Sequence, residues 1–112
     1  MTVREIAEAL KLEVLTGEAG LGQEVEHGYV SDLLSDVIGN ALENSVWITV
    51  QRHVNILGVA KLKNIVAIIT PRGLKIEDEL IERARVEGIV LLRSGWPAFE
   101  VAGMAYAILK KA

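Results

Sequence analysis

The chain contains no cysteine. Disulfides, thiolate metal sites and cysteine nucleophiles are excluded together, and the absence fits a cytoplasmic protein. Aromatic residues are scarce, two Trp, two Tyr and one Phe, so aliphatic side chains must fill the core. There is no basic excess either: the formal net charge is −3. A broad electrostatic surface for nucleic acid is therefore not expected. The longest apolar stretch, residues 101–109, is half of the roughly 20 residues a bilayer span requires. The opening Met1-Thr2-Val3-Arg4-Glu5-Ile6 lacks the basic region and apolar run of a secretory leader. These absences set the expectation of a soluble, cytoplasmic chain with no membrane partner.

What is present is a globular composition. Of 112 residues, 51% are hydrophobic and 24% charged, which suits one domain with one core, residues 1–112, and not a disordered chain. From residue 45 onward, strand-then-helix units repeat. Residues 45–50 (SVWITV), 64–69 (NIVAII) and 88–92 (GIVLL) are compact apolar runs. Runs without polar alternation indicate strands covered on both faces. Each precedes a segment of helical spacing, over 51–61, 76–87 and from Pro97 onward. Thr49 is a possible cap for the first of these helices. Glu77, Asp78 and Glu79 suit the positive end of the second helix, and Gly88 its stop. Pro97 suits the first position of the last.

Upstream, Thr2 and Glu5 form a possible capping box for a short helix over 3–10. Residues 12–15 read as a strand, 16–22 as a glycine-rich flexible connection, and 25–30 as a weakly alternating strand. Ser31 or Asp32 can cap a helix over 33–42. The fold class expected is α/β: a mostly parallel or mixed sheet of four to six strands flanked by helices.

Chemistry-bearing residues are sparse. Open α/β sheets bind ligands beyond the carboxyl ends of their strands. That rule selects Ser31 and Asp32 after one strand, then Thr49, Gln51, Arg52, His53 and Asn55 after the next. Thr70 and Arg72 follow the third, and Arg93 and Ser94 the last. If neighbouring strands are parallel, hydroxyls, amides and arginines gather along one edge and suit a small anion, such as a nucleotide phosphate. The competing reading is plain turn chemistry, since polar residues fill strand-to-helix turns as caps.

Catalytic signatures are missing. The glycines at 17–22 lack the lysine and spacing of a phosphate loop, and Gly20-Leu21-Gly22 lacks the third glycine of a dinucleotide fingerprint. No Gly-x-Ser-x-Gly occurs. Asp32 and Asp36 lie one helical turn apart, which fits a cap or solvated face better than acid–base work. His27 and His53, with no cysteine, give no basis for zinc. No catalytic residue, cofactor or metal is assigned.

The final helix carries a different signal. Phe99, Ala102, Tyr106 and Leu109 lie along one side, while Val101, Met104, Ala105 and Ile108 occupy much of the rest. A helix apolar nearly all round needs cover on more than one side. The sheet supplies one cover, and either a second subunit or an N-terminal segment of the same chain supplies the other. Ala98, Val101, Ala102 and Ala105 are the expected homodimer contacts, on the precedent that most homo-oligomers are twofold.

Three stretches in order carry a family resemblance. They are Gly28-Tyr29-Val30-Ser31-Asp32-Leu33-Leu34-Ser35-Asp36-Val37, then Trp47-Ile48-Thr49-Val50-Gln51 with His53, Asn55, Val59 and Ala60, and then Gly88-Ile89-Val90-Leu91-Leu92. In this arrangement, over residues 12–109, the chain resembles a stand-alone DRTGG domain. The pentapeptide that names the family is absent. The resemblance implies a fold similar to the N-terminal domain of HPr kinase/phosphorylase. It also implies kinship to accessory domains of phosphotransacetylases and of CBS-containing pyrophosphatases, where the module is regulatory or dimer-forming. Stand-alone members look associated with iron hydrogenase systems and serine-kinase-like proteins. Three functions follow for comparison: a non-catalytic regulatory module that dimerises and senses a small anion; a protein-interaction adaptor without a small ligand; and a small enzyme using Asp32, His53 or Ser94.

Overall fold

The computed structural model describes residues 1–111. In chain order the elements are α1 (Val3–Ala9), β1 (Glu13–Thr16), a 3-10 turn (Glu18–Gly20), β2 (His27–Val30), α2 (Leu34–Asn40), β3 (Ser45–Ile48), α3 (Asn55–Leu62), β4 (Ala67–Thr70), α4 (Asp78–Glu87), β5 (Leu91–Arg93) and α5 (Ala98–Lys111). The five strands form one sheet in the order β1-β5-β4-β3-β2. Strands β2 to β5 are mutually parallel, and β1 pairs antiparallel with β5. The expected mixed α/β sheet is therefore present, and its parallel part runs in simple sequence from one edge inward.

The continuous apolar runs are explained by cover on both faces. Along β3, Val46 and Ile48 point to one face, where they join Val3, Ile6 and Ala7 of α1 and Val101 and Ala105 of α5. Trp47 between them points to the other, among Val37 of α2, Ile56 and Leu57 of α3, and Leu80 and Ala84 of α4. Strands β4 and β5 divide the same way, with Ile69 and Leu92 on the first face and Ile68 and Leu91 on the second. Each fully buried aliphatic side chain contributes roughly 1.5–3 kcal/mol, so the central strands anchor the fold. The three crossover helices share one face, as successive right-handed connections between neighbouring parallel strands require.

Local signals at the helix ends are mostly realised. Thr2 Oγ1 accepts from Glu5 N at 3.2 Å while Thr2 N donates to Glu5 Oε1 at 2.8 Å, completing the capping box. Gly88 ends α4 at φ 71°, in the left-handed region. Several boundaries shift. The strand expected over 45–50 ends at Ile48 and the helix expected from 51 begins at Asn55, because Asp32 Oδ1 takes the Val50 N–H at 2.9 Å and turns the chain out of the sheet. Thr49 consequently does not cap α3; its Oγ1 accepts from Gln51 N at 3.1 Å in a local turn. Neither Ser31 nor Asp32 caps α2, whose N-cap is Leu33 with no side-chain bond. The strand expected from Asn64 starts at Ala67, since Asn64 sits at φ 53°.

The segment 16–22 is not a loose connection. Gly17 stands at φ 86°, where a Cβ would lie 2.6 Å from Val90 Cα, so the backbone of this turn rests directly on the residue that leads into β5. Among the described residues, no helix is long and apolar enough to cross a membrane.

Candidate functional site

Because β2, β3, β4 and β5 are parallel, the loops that follow them emerge at one edge. The residues selected beyond the strand ends sit at this edge, except that Thr70 and Arg93 do not follow their strands but are the last residues of β4 and β5. The structure brings some of them into contact and spends others on the loops themselves.

Asp32 is the main brace. Its Oδ1 accepts from Thr49 Oγ1 and from Val50 N, both at 2.9 Å, and its carbonyl accepts from Gln51 Nε2 at 2.9 Å. The loop after β2 is thus sewn to the loop after β3. Ser31 is placed by the buried Trp47, whose Nε1 donates to the Ser31 carbonyl at 2.9 Å, and the Ser31 hydroxyl accepts from Leu33 N at 3.2 Å. The Ser31 hydroxyl, with the Tyr29 hydroxyl and the Asn40 amide, holds the Asp36 carboxyl below the usual aspartate range. The Tyr29 hydroxyl donates to Asp36 Oδ2 at 2.9 Å, which in turn raises the tyrosine pKa.

His53 is exposed, and its Nδ1 accepts from Asn55 N at 3.2 Å at the start of α3. It performs the helix-starting job that the sequence had suggested for Thr49. Arg52 reaches across, donating from Nη1 to the Lys75 carbonyl at 2.7 Å. Arg93 donates to the adjoining Leu74 carbonyl at 3.4 Å and pairs with Glu13 Oε1 at 2.8 Å. Two guanidinium groups therefore converge on consecutive carbonyls of the loop between β4 and α4.

That same loop carries Arg72 at φ 60° followed by Gly73 at φ 60°. It is tied down by Arg72 N to the Trp96 carbonyl at 2.8 Å and Gly73 N to the Ser94 carbonyl at 2.7 Å. A bulky residue in the left-handed region is uncommon and marks a position worth functional attention. The Arg72 side chain is exposed on the rim. Ser94 is buried, and its Oγ accepts from Trp96 N at 3.0 Å. Thr70 lies opposite Arg93 in register and is fully buried. Its hydroxyl is the buried side-chain oxygen without a hydrogen-bond partner among the described residues.

Of the nominated residues, Ser31, Asp32, Thr49 and Gln51 form one connected cluster, and Thr70, Arg72 and Ser94 belong to a second around the 71–75 loop. His53 and Asn55 stand at the start of α3. No hydrogen bond joins any two of Asp32, His53 and Ser94, so the enzyme constellation that required their convergence is not assembled. Among the described residues, no group of three or more metal-ligating side chains occurs.

The expected dimer contacts divide. Val101 and Ala105 are buried against the sheet within the chain, so they are not available to a second subunit. Met104 and Ile108 are partly buried against the hydrophobic cluster that α5 shares with the sheet and α1. Ala98 and Ala102 remain half-buried, while Phe99 at 86% and Tyr106 at 64% exposure form the outward side. Sequence spacing placed these residues on one helix, but the angle at which α5 meets the sheet selected which of them face in. A cleft of about 630 Å³ runs between α5 and β2, lined by Val30, Leu42, Phe99, Gly103, Tyr106 and Leu109. It was not visible in the sequence, because the pattern of residues 25–30 does not reveal that β2 is an edge strand. A second, polar cleft of about 690 Å³ opens at the amino ends of the strands, beside the Lys61–Glu87 ion pair.

No family model matches the sequence, and no curated protein is significantly similar to it. Among solved structures, the chain is similar to the crystal structure of the CBS and DRTGG domains of the regulatory region of Clostridium perfringens pyrophosphatase, complexed with its activator, diadenosine tetraphosphate. The TM-score is 0.71 at 15% identity, over 90% of this chain and 44% of that one. The chain thus spans less than half the length of the structure it matches. The likeness is one of fold, and it bears out the resemblance to a DRTGG-like domain.

Proposed function

We propose that the chain is a non-catalytic regulatory module that senses a small anionic metabolite of the nucleotide or acyl phosphate class, working as a cytoplasmic homodimer. The observation that carries this reading is the common direction of β2, β3, β4 and β5. It directs the loops that carry Gln51, His53 and Arg72 toward one edge of the sheet, where the Arg52 and Arg93 guanidinium groups brace the loop between β4 and α4. The likeness to a regulatory region complexed with a nucleotide activator supports it. So does the engagement of Asp32, His53 and Ser94 in separate loop bonds, which suits support of the loops more than bond-making chemistry.

A thermal-shift panel of mononucleotides, diadenosine tetraphosphate and acetyl phosphate tests the sensing claim. A ligand held at a hundred times its Kd stabilises by about 2.7 kcal/mol, a shift of roughly 10 °C for a domain of this size. Arg72→Ala should diminish that shift while leaving the unliganded melting temperature nearly unchanged. A flat panel at millimolar ligand refutes the sensing claim. The adaptor reading draws on the exposed apolar side of α5; a flat panel together with one stoichiometric protein partner would favour it.

A further inference from the structure

Strand β2 ends the sheet, so among the described residues no strand lies beside its outer edge. Natural edge strands are commonly protected by lysine, proline or a covering segment. His27-Gly28-Tyr29-Val30 contains neither lysine nor proline. Its surroundings are apolar on both faces of the sheet. Six of the nine large hydrophobic side chains exposed among the described residues, Val30, Leu33, Ile38, Leu42, Phe99 and Tyr106, lie on β2 or on the α2 and α5 segments that flank it.

We infer that this edge is where two copies of the chain join, with β2 antiparallel to β2 about a twofold axis at Tyr29, making one continuous ten-stranded sheet. The placement rests on the homodimer reading above. Three observations select a second copy as the occupant. First, the edge is self-complementary. Gly28 and Val30 face the same side of the strand. A Cβ at Gly28 would sit in ordinary contact with Val46 Cγ2 at 3.7 Å, on the α5 side, where the glycine presents no side chain of its own. Antiparallel pairing centred on Tyr29 sets the half-exposed Val30 of each copy opposite Gly28 of the other.

Second, the apolar exposure extends beyond the strand to helices on both faces. A lone added peptide strand would leave those helices uncovered. A second copy brings its own α2 and α5 to them. Third, the extent is adequate. Phe99 and Tyr106 can each bury about 150–250 Å², and with the four aliphatic side chains the stripe approaches the roughly 800 Å² per partner of a standard interface.

Light scattering on the full chain, with Val30→Arg and Phe99→Glu, tests this. Both positions are exposed, so each variant should keep the circular dichroism spectrum of the folded parent. The parent should be a dimer at micromolar concentration, and each variant should weaken association by about tenfold or more. Tyr29→Cys adds a register readout in a chain otherwise free of cysteine. Across the axis the two Cα atoms would be about 4.5–5.5 Å apart, inside the disulfide range of about 4.4–6.8 Å, so oxidation should cross-link the dimer. If Tyr29→Cys fails to fold, the two charge variants still decide the placement. A monomeric parent overturns both the homodimer and its placement. A dimer that neither charge variant weakens overturns the placement alone, and a folded Tyr29→Cys dimer that does not cross-link overturns the register.

Discussion

Gly17 and Gly58 show how one residue type does opposite things in this chain. Gly17 is left-handed and its missing side chain would strike the Val90 backbone. Gly58 lies inside α3 with nothing within 4 Å of an added Cβ. Gly17→Ala should therefore lower stability by about 2 kcal/mol or more, combining backbone strain and a backbone collision. Gly58→Ala should raise it by roughly 0.5–1 kcal/mol, as expected of an exposed helix interior. Urea denaturation of both variants measures the two effects directly, and equal losses would contradict the assignment. The sequence marked residues 16–22 as turn-forming but not what they touch. Thr16 Oγ1 donates to the Ile89 carbonyl, 73 residues away, a distance over which local pattern carries no information. Asp32 is similar: its residue type was legible as polar loop chemistry, and its partners Thr49 and Val50 were not.

At the level of elements, helices α3 and α4 are joined by an ion pair that local reading did not show. Lys61 Nζ lies 3.2 Å from Glu87 Oε1, and Arg83 Nη2 lies 3.2 Å from Glu87 Oε2. Glu87 occupies the last turn of α4, where the helix dipole disfavours a carboxylate. Lys61 first, and Arg83 with it, hold its pKa below the ordinary glutamate value of 4.5. A group with a lowered folded pKa stabilises the fold above its unfolded pKa and loses that contribution as pH falls through the folded value. Glu87→Gln should accordingly lower the melting temperature modestly at neutral pH, with the difference from the parent closing below about pH 4.5. Melting curves across pH 3–7 check the sign; a gap that widens in acid would contradict it. The strand–helix alternation itself was legible because both-face burial writes uninterrupted apolar runs such as residues 64–69. The boundaries moved wherever a distant group captured a backbone N–H, as Asp32 does at Val50.

For the whole molecule, protection should follow burial in the sheet. Strands β3 and β4 are buried at every position, whereas β2 is mostly exposed. Amide hydrogen exchange should be slowest in β3 and β4, approaching the global unfolding limit, and faster in β2. The β2 amides should slow further as protein concentration rises if the edge pairs with a second copy, while those of β4 stay constant. Concentration-independent exchange in β2 of a proven dimer would place the interface elsewhere. The order of apolar runs, caps and stop signals by itself determined an α/β sheet with helices on it, because backbone periodicity and helix-end chemistry act within a few residues. Only the tertiary structure decided which strand is the edge, which side of α5 faces outward, and which rim residues hold loops together. Those outcomes depend on contacts between segments far apart in the chain, and they are set by how the whole core packs.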